Sequence, residues 1–294
     1  MYKRQNQFTE DAADLLADAL EEAGAAAGRI AIELDYMPAQ DYIRLKERLP
    51  RATFVPCRDL YFDARMIKTD EEVAILRRVG ELTDRVAGEV LREIRPGMTE
   101  KAVAQLISTR MMDGGCDGLK IQVGSGVRSG ITNCSPTDKA IEKADVVRIE
   151  ILGDMQQYRS NVTRTAVVGA PTDEQKQIWE VMIGAREACK ALLEPGLAVA
   201  DLYRTYVQYL TSRGIEPTLK FLGHGIGQTI HEEPYITDTR KTVMQPNIAF
   251  TMEPLYMIPG RMGFHVEDMY LITPGGFRPI TGMITPNDEL IRIG

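Results

Sequence analysis

The chain has 294 residues, 44% hydrophobic and 26% charged, enough for one large core or a large core and a small one. Its formal net charge of −7 argues against a nucleic-acid partner, which needs clustered Lys and Arg, and no apolar run of about 18 residues suggests a membrane span. Cys57, Cys116, Cys134 and Cys189 lack CxxC spacing, and the opening MYKRQNQFTEDAADLL has no apolar signal-type stretch, so a cytoplasmic protein with reduced thiols is expected.

The first 65 residues read as α/β. FTEDAADLLADALEEAG has a helical pattern with Leu15, Leu16 and Leu20 on one face and Gly24 as its stop. Residues 29–34, RIAIEL, alternate like a strand, and a short helix near 38–48 and a strand near 52–55 follow. Such a segment makes a thin core, so residues 1–65 are expected to form a partial domain beside a main domain at 66–294.

Thr69 and Glu72 form a capping-box signature. Behind it Val73, Leu76, Val79, Leu82, Val86, Val90 and Ile94 form one helical stripe that ends at Pro96-Gly97. A second helix, TEKAVAQLISTRMMDGG, starts at once. The arrangement recurs: DEQKQIWEVMIGAREACKALLEPG ends at Pro195-Gly196, and VADLYRTYVQYLTSRG follows. Strand-rich stretches at 121–168 and 247–281 come after the two copies. The repeat implies a duplicated α+β unit with pseudo-two-fold symmetry. The lone Trp179 and the fourteen methionines read as core packing.

All three histidines lie between 224 and 265. GHGIGQTIHEEP carries His224 and His231, TMEP carries Glu253, and GFHVED carries His265 and Glu267. Strand alternation lets Glu253 in AFTMEPLYMI and Glu267 in FHVEDMYLIT point into one site. One imidazole and two carboxylates make half of a hard-metal site. Gly223, Gly225 and Gly227 do not follow the G-x-G-x-x-G order of a dinucleotide cradle.

The order Gly-His-Gly-Ile-Gly, His-Glu-x-Pro, Glu-Pro, Glu-Asp, from about Met66 to Thr281, resembles the creatinase/prolidase/methionine aminopeptidase family, peptidase family M24. Residues 28–68 resemble the end of the N-terminal domain of its prolidase-like and creatinase-like members. The resemblance implies a pita-bread α+β fold and a site where two Asp, one His and two Glu hold two divalent metals. His224, Glu253 and Glu267 match that set. In ADVVRIEILGDMQQYRSNVTRT the two Asp positions are taken by Glu150 and Asn161, the register being anchored by Thr163-Arg164-Thr165. Glu150 keeps a carboxylate with one more methylene, and it either faces the pocket or pairs with Arg148 or Arg159. Asn161 is neutral and a poor bridging ligand, since hard cations prefer charged oxygens.

Two further positions depart from the family. Asn133 in SGVRSGITNCSPTD stands where the family carries a substrate-contacting His, and Asn cannot be a general base. His265 stands where prolidase-like members often have a substrate-recognising Arg. Asn133, Asn161 and His265 are therefore the expected substrate-binding residues, and His224, His231, Glu253 and Glu267 the expected catalytic ones. The resemblance gives His231 the role of holding the substrate carbonyl or tetrahedral intermediate. The function expected is hydrolysis of a C–N bond in a small peptide, amide or amidine. It would run without metal or with one weakly held Mn, Co, Zn or Fe ion, in a homodimer. Two alternatives stay open: a pseudo-peptidase that only binds, and an ordinary two-metal Xaa-Pro peptidase.

Overall fold

The computed structural model describes residues 12–294, so residues 8–11 of the first helical pattern lie outside it. The chain divides into two compact units, Met1–Ala64 and Arg65–Gly294.

In the first unit, α1 (Ala12–Glu22) precedes β1 (Arg29–Ile32), α2 (Ala39–Arg48) and β2 (Thr53–Pro56). β1 and β2 pair in parallel, from Arg29 opposite Thr53 to Ile32 opposite Pro56. A parallel pair needs a crossover, and α2 supplies it. The buried face of α1 differs from the one expected. Ala13 and Ala17 are buried, Leu20 packs beside them, and Leu16 is 41% exposed. The small alanines allow close approach to α2, whose Arg44 and Arg48 bond Asp14 at 2.7–3.1 Å, with Arg48 also reaching Asp18. α3 (Arg58–Met66) leads onward.

The second unit is built twice on one plan. In the first half, α4 (Asp70–Glu93) and α5 (Glu100–Asp113) precede β3 (Gly118–Ser125), β4 (Val146–Met155), β5 (Tyr158–Arg159) and β6 (Val162–Val168). In the second half, α6 (Asp173–Lys190) and α7 (Val199–Thr211) precede β7 (Gly223–Gly225), β8 (Glu232–Ile236), β9 (Ala249–Met252), β10 (Leu255–Ile258), β11 (Met262–His265), β12 (Asp268–Thr273) and β13 (Gly276–Pro279). The final strand, β14 (Ile291–Ile293), returns beside β6, giving sheets ordered β14-β6-β4-β3 and β13-β12-β9-β7-β8. β10 and β11 form a separate antiparallel pair.

The duplication extends to single hydrogen bonds. Thr69 with Glu72 and Thr172 with Gln175 both close capping boxes. Gly97 and Gly196 both take positive φ, 91° and 97°, which glycine adopts without strain. Gly97 N–H donates to Ile141 O and Ile141 N–H to Met98 O; Gly196 N–H donates to Met244 O and Met244 N–H to Leu197 O. All seven stripe residues of α4 and its cap are buried, several of them against β4 and β6. The fold is the pita-bread α+β architecture. Among the described residues, no helix is long and apolar enough to cross a membrane.

The two sheets meet where Thr163 and Glu267 exchange backbone hydrogen bonds of 3.3 and 3.2 Å. Arg164 fastens this seam. Its fully buried guanidinium donates to the Glu267 carbonyl at 2.9 Å and to Asp84 and Asp268 carboxylates at 2.8 Å each. Asp84 also accepts from Gly282 and Ile284 N–H, and Asp268 from Thr281 and Asn287. Removing the cation would leave the buried Asp84 carboxylate without a counter-charge and Asp268 with Arg186 alone, at 3.5 Å. Arg164→Met is therefore expected to destabilise the protein by about 3–5 kcal/mol in urea unfolding. A loss under about 1 kcal/mol would contradict this role.

Candidate active site

The seam sets the position of the site. His224 is the central residue of β7, with a glycine on each side. A Cβ at Gly223 would lie 2.0 Å from Thr251 O, and one at Gly225 would lie 2.1 Å from Glu233 O. The glycines therefore let neighbouring backbone close in on both sides of the histidine. The two glutamates are not mid-strand, as alternation alone suggests. Glu253 follows β9 and precedes Pro254, which cannot donate to a ladder and ends the strand there. Glu267 follows β11 and precedes β12. Both project from kinks where the chain passes between the hairpin and the large sheet.

The hydrogen bonds of His224 fix its tautomer. Its Nδ1 lies 2.9 Å from Gly225 O, which can only accept, so the ring proton is on Nδ1. Nε2 then carries a bare lone pair. It lies 3.3 Å from Glu253 Oε1 and 3.8 Å from Glu267 Oε1, is buried, and has no hydrogen-bond donor facing it. Glu267 accepts from Asn161 Nδ2 at 2.7 Å and Thr163 Oγ1 at 3.0 Å. Three electron-rich atoms face one another out of water, within 4.8 Å. The arrangement is stable only with an electropositive centre among them, a shared proton or a cation. Its imidazole and two carboxylates are the donor types that a divalent metal takes.

His265, Glu150 and Arg148 form a second polar layer. His265 Nε2 is 3.3 Å from Glu253 Oε2, and its Nδ1 is 3.5 Å from Arg148 Nη1 and 3.8 Å from Glu150 Oε2. Arg148 can only donate, so the proton of a neutral His265 belongs on Nε2, facing Glu253. Glu150 pairs directly with neither Arg148 nor Arg159. It accepts from Gln122 Nε2 at 3.0 Å, while Arg148 bonds the carbonyls of Ile131 and Thr132 and Arg159 bonds Asp154. A cavity of about 290 Å³ opens over this layer, lined also by Asn133, Asn161, His231, Lys120 and the apolar Leu219, Phe221, Ile230 and Leu255. The His231 ring is 4.1 Å from that of His224.

The expected residues thus fall into two groups. His224, Glu253 and Glu267 come together as one cluster. Glu150, Asn161, Asn133, His231 and His265 line the same cavity, and Glu150 is not brought into the cluster. Gln122, Lys120 and Thr163 were not legible as site residues. Period-two reading of LKIQV, which puts Lys120 and Gln122 on one strand face, is the signal that finds the first two.

Burial dominates the electrostatics. It raises Glu253 and Glu267 well above the usual carboxylate range, helped by the mutual repulsion of the acids, and holds Glu150 up at about 7. It lowers His224 to about 3, with His231 adding to the effect, and lowers His265, beside the Arg148 charge.

Comparison with known proteins gives consistent relatives. Residues 74–274 match the profile described as Metallopeptidase family M24, and residues 2–67 that of the Creatinase/Prolidase N-terminal domain. A Xaa-Pro dipeptidase of Pyrococcus furiosus is 31% identical over 239 residues, 80% of this chain and 69% of that enzyme. One of Lactobacillus helveticus is 29% identical over 287 residues, 93% of this chain and 76% of that enzyme. The solved prolidase of Pyrococcus furiosus superposes with a TM-score of 0.83 at 30% identity, covering 86% of this chain and 75% of the other. The X-Pro aminopeptidase of Thermotoga maritima gives 0.88 at 25% identity, covering 97% and 80%.

The raised acids make a signed prediction. In the metal-free protein, Glu150, Glu253 and Glu267 titrate above their unfolded values, so they bind more protons folded than unfolded. Their contribution to stability is largest at low pH and is lost as pH rises through the folded values. A bound cation favours the ionised carboxylates, so its stabilisation grows with pH. The rise in Tm on adding Mn(II) is expected to be larger at pH 8 than at pH 5.5, measured by differential scanning fluorimetry. An equal or smaller rise at pH 8 would contradict the assignment.

Proposed function

The chain belongs to metallopeptidase family M24 and is a C–N bond hydrolase of that type; from that premise, we propose that it cleaves short Xaa-Pro-type peptides at a site holding one divalent metal. The observation that carries this reading is the bare His224 Nε2 set between the Glu253 and Glu267 carboxylates. His224, Glu253 and Glu267 would hold the metal, which supplies Lewis-acid polarisation of a water and of the scissile carbonyl. A second metal finds less support. Asn161 donates its NH₂ to Glu267 and offers only a neutral oxygen, a weak ligand for a hard cation, and Glu150 is engaged by Gln122. The peptide class follows the relatives, which are named as Xaa-Pro peptidases.

The chain's own groups carry the proton. Glu253, kept ionised by the cation it helps to hold, would accept a proton from the attacking water and deliver it to the leaving nitrogen as the C–N bond breaks. His265 Nε2 lies 3.3 Å from the other Glu253 oxygen, close enough for its proton to stabilise the ionised carboxylate electrostatically. His231, at the open side of His224, donates to the oxyanion of the tetrahedral intermediate. Phe221, Ile230 and Leu255 surround the peptide with apolar surface and exclude water. The four cysteines are unpaired, which favours a reducing compartment, the cytoplasm.

The test is turnover of Xaa-Pro dipeptides by Mn(II)-loaded protein and its variants. Glu253→Gln, assayed at saturating Mn(II) because it also removes a charged ligand, is expected to lower kcat by roughly 10²-fold or more. His224→Ala is expected to abolish both turnover and Mn(II) binding. Unchanged turnover in either variant, or none in the parent with any Xaa-Pro dipeptide, would sink the reading.

A further inference from the structure

We infer that the buried Lys68–Glu232 ion pair is a positioning device: it clamps the 227–231 loop and so sets where His231 stands over the cavity. The role of His231 rests on the function proposed above; the clamp that holds it rests on contacts outside the cavity.

Lys68 lies between α3 and the Thr69 cap of α4, and Glu232 opens β8 directly after His231. Lys68 Nζ is 2.9 Å from Glu232 Oε2, and each side chain is 1% exposed. Neither residue lines the cavity, so the pair can reach the reaction only through what it holds. Taking two charges out of water is costly, and a buried pair often stabilises a fold no more than apolar residues of the same volume would. What such a pair does supply is direction, because it fixes the oxygens and nitrogens bonded to it.

The loop is wrapped around the Glu232 carboxylate. With Oε2 taken by Lys68, Oε1 accepts from Thr229 N–H at 2.9 Å. Thr229 Oγ1 in turn donates to the His231 carbonyl at 3.0 Å. Gly227 N–H donates to Thr229 O at 3.2 Å, and Gly227 O accepts from Arg159 N–H at 2.8 Å. The loop closes tightly on the pair: a Cβ at Gly227 would lie 2.6 Å from Glu232 Oε2 and 3.0 Å from Lys68 Cε. Lys68 is itself anchored, its backbone N–H donating to Asn247 O at 2.9 Å. A second link runs alongside. Tyr158 OH donates to Glu72 at 2.7 Å and faces Gln228 Nε2 at 3.5 Å, so the start of α4 holds the loop at two points.

His231 needs such support. It is exposed, whereas His224 and His265 are buried, so core packing does not fix its ring. The ring meets those of His224, Phe221 and Tyr235 at 4.1, 6.5 and 6.3 Å, contacts that follow from where its backbone sits. Without Lys68, Glu232 would be a buried acid with no counter-charge, and it would take up a proton or turn toward solvent. Turning breaks the Thr229 bond and releases the backbone that carries His231. A misplacement of about 1 Å in a group that serves the transition state costs on the order of 10²-fold in rate.

The test is Xaa-Pro dipeptide turnover by the Mn(II)-loaded full chain, together with hydrogen exchange of segment 226–232 followed by mass spectrometry. Lys68→Met is expected to lower kcat by at least about ten-fold with KM within about three-fold, and to speed exchange of that segment by at least about ten-fold. Glu232→Gln keeps the shape, but its single oxygen can serve Lys68 or Thr229 and not both. It should move both readouts the same way, and it carries the test if Lys68→Met does not fold. In a His231→Ala background either substitution should cost less than about two-fold more in kcat, because the group being placed is gone. A pair that only supports the fold would lower Tm and leave kcat of the folded variants unchanged. Unchanged kcat in the folded variants, or an undiminished loss in the His231→Ala background, would overturn the positioning role. If the parent turns over no Xaa-Pro dipeptide, the function proposed above fails and exchange alone decides the clamp: faster exchange in the variants sustains it, and unchanged exchange overturns it.

Discussion

The site exists because one buried cation joins two halves that share a plan. Arg164 reaches from β6 to Asp84 on α4, to Asp268 on β12 and to the backbone carbonyl of Glu267. A guanidinium suits this task because its planar fork offers several donors in fixed directions. Lysine offers a point charge and could not satisfy three acceptors in that geometry. The same contact that closes the seam sets the Glu267 backbone, and Thr163 beside it sets the carboxylate. Fold stability and site geometry therefore depend on a single network. Its carboxylates are all paired, which is the condition under which buried charge is tolerated.

The second governing feature is a deficit of negative charge compared with the five-ligand pattern that the sequence resembles. Asn161 removes one carboxylate: its NH₂ donates to Glu267, and only a neutral Oδ1, buried without a hydrogen-bond partner, is left to serve as a ligand. Glu150 keeps its carboxylate, but Gln122 and the neighbourhood of His265 and Arg148 surround it. The protein thus supplies positive or donor groups on the side where the pattern would place a cation. On the other side, His224, Glu253 and Glu267 turn their ligand atoms toward one another within 4.8 Å. That asymmetry is the physical basis for a one-metal account.

Much of this was legible in the sequence, in proportion to how local the cause was. The Thr69 capping box, the α4 stripe and the paired Pro-Gly turns are local signals, and each marks an element in the structure. The family motifs brought His224, Glu253 and Glu267 to one place. The α1 face was misread because two stripes of the same period compete there, and packing against α2 favoured the alanines. The strand readings of Glu253 and Glu267 failed because a strand break depends on which sheet each half joins, though Pro254 was a visible warning. Gln122 and Thr163 were not legible as site residues, since their roles come from cross-strand register. Glu150 lies opposite Gln122 and Thr163, a pairing that no local pattern prints.

The central claim is that the pocket holds one divalent cation between His224, Glu253 and Glu267. The most direct measurement is elemental analysis of protein purified without chelator, loaded with Mn(II) and dialysed. The account predicts about one metal per chain, lost in the His224→Ala variant. About two per chain would mean that Glu150 and Asn161 also serve as ligands, and none would mean that a proton alone holds the three groups together; either result would contradict the account.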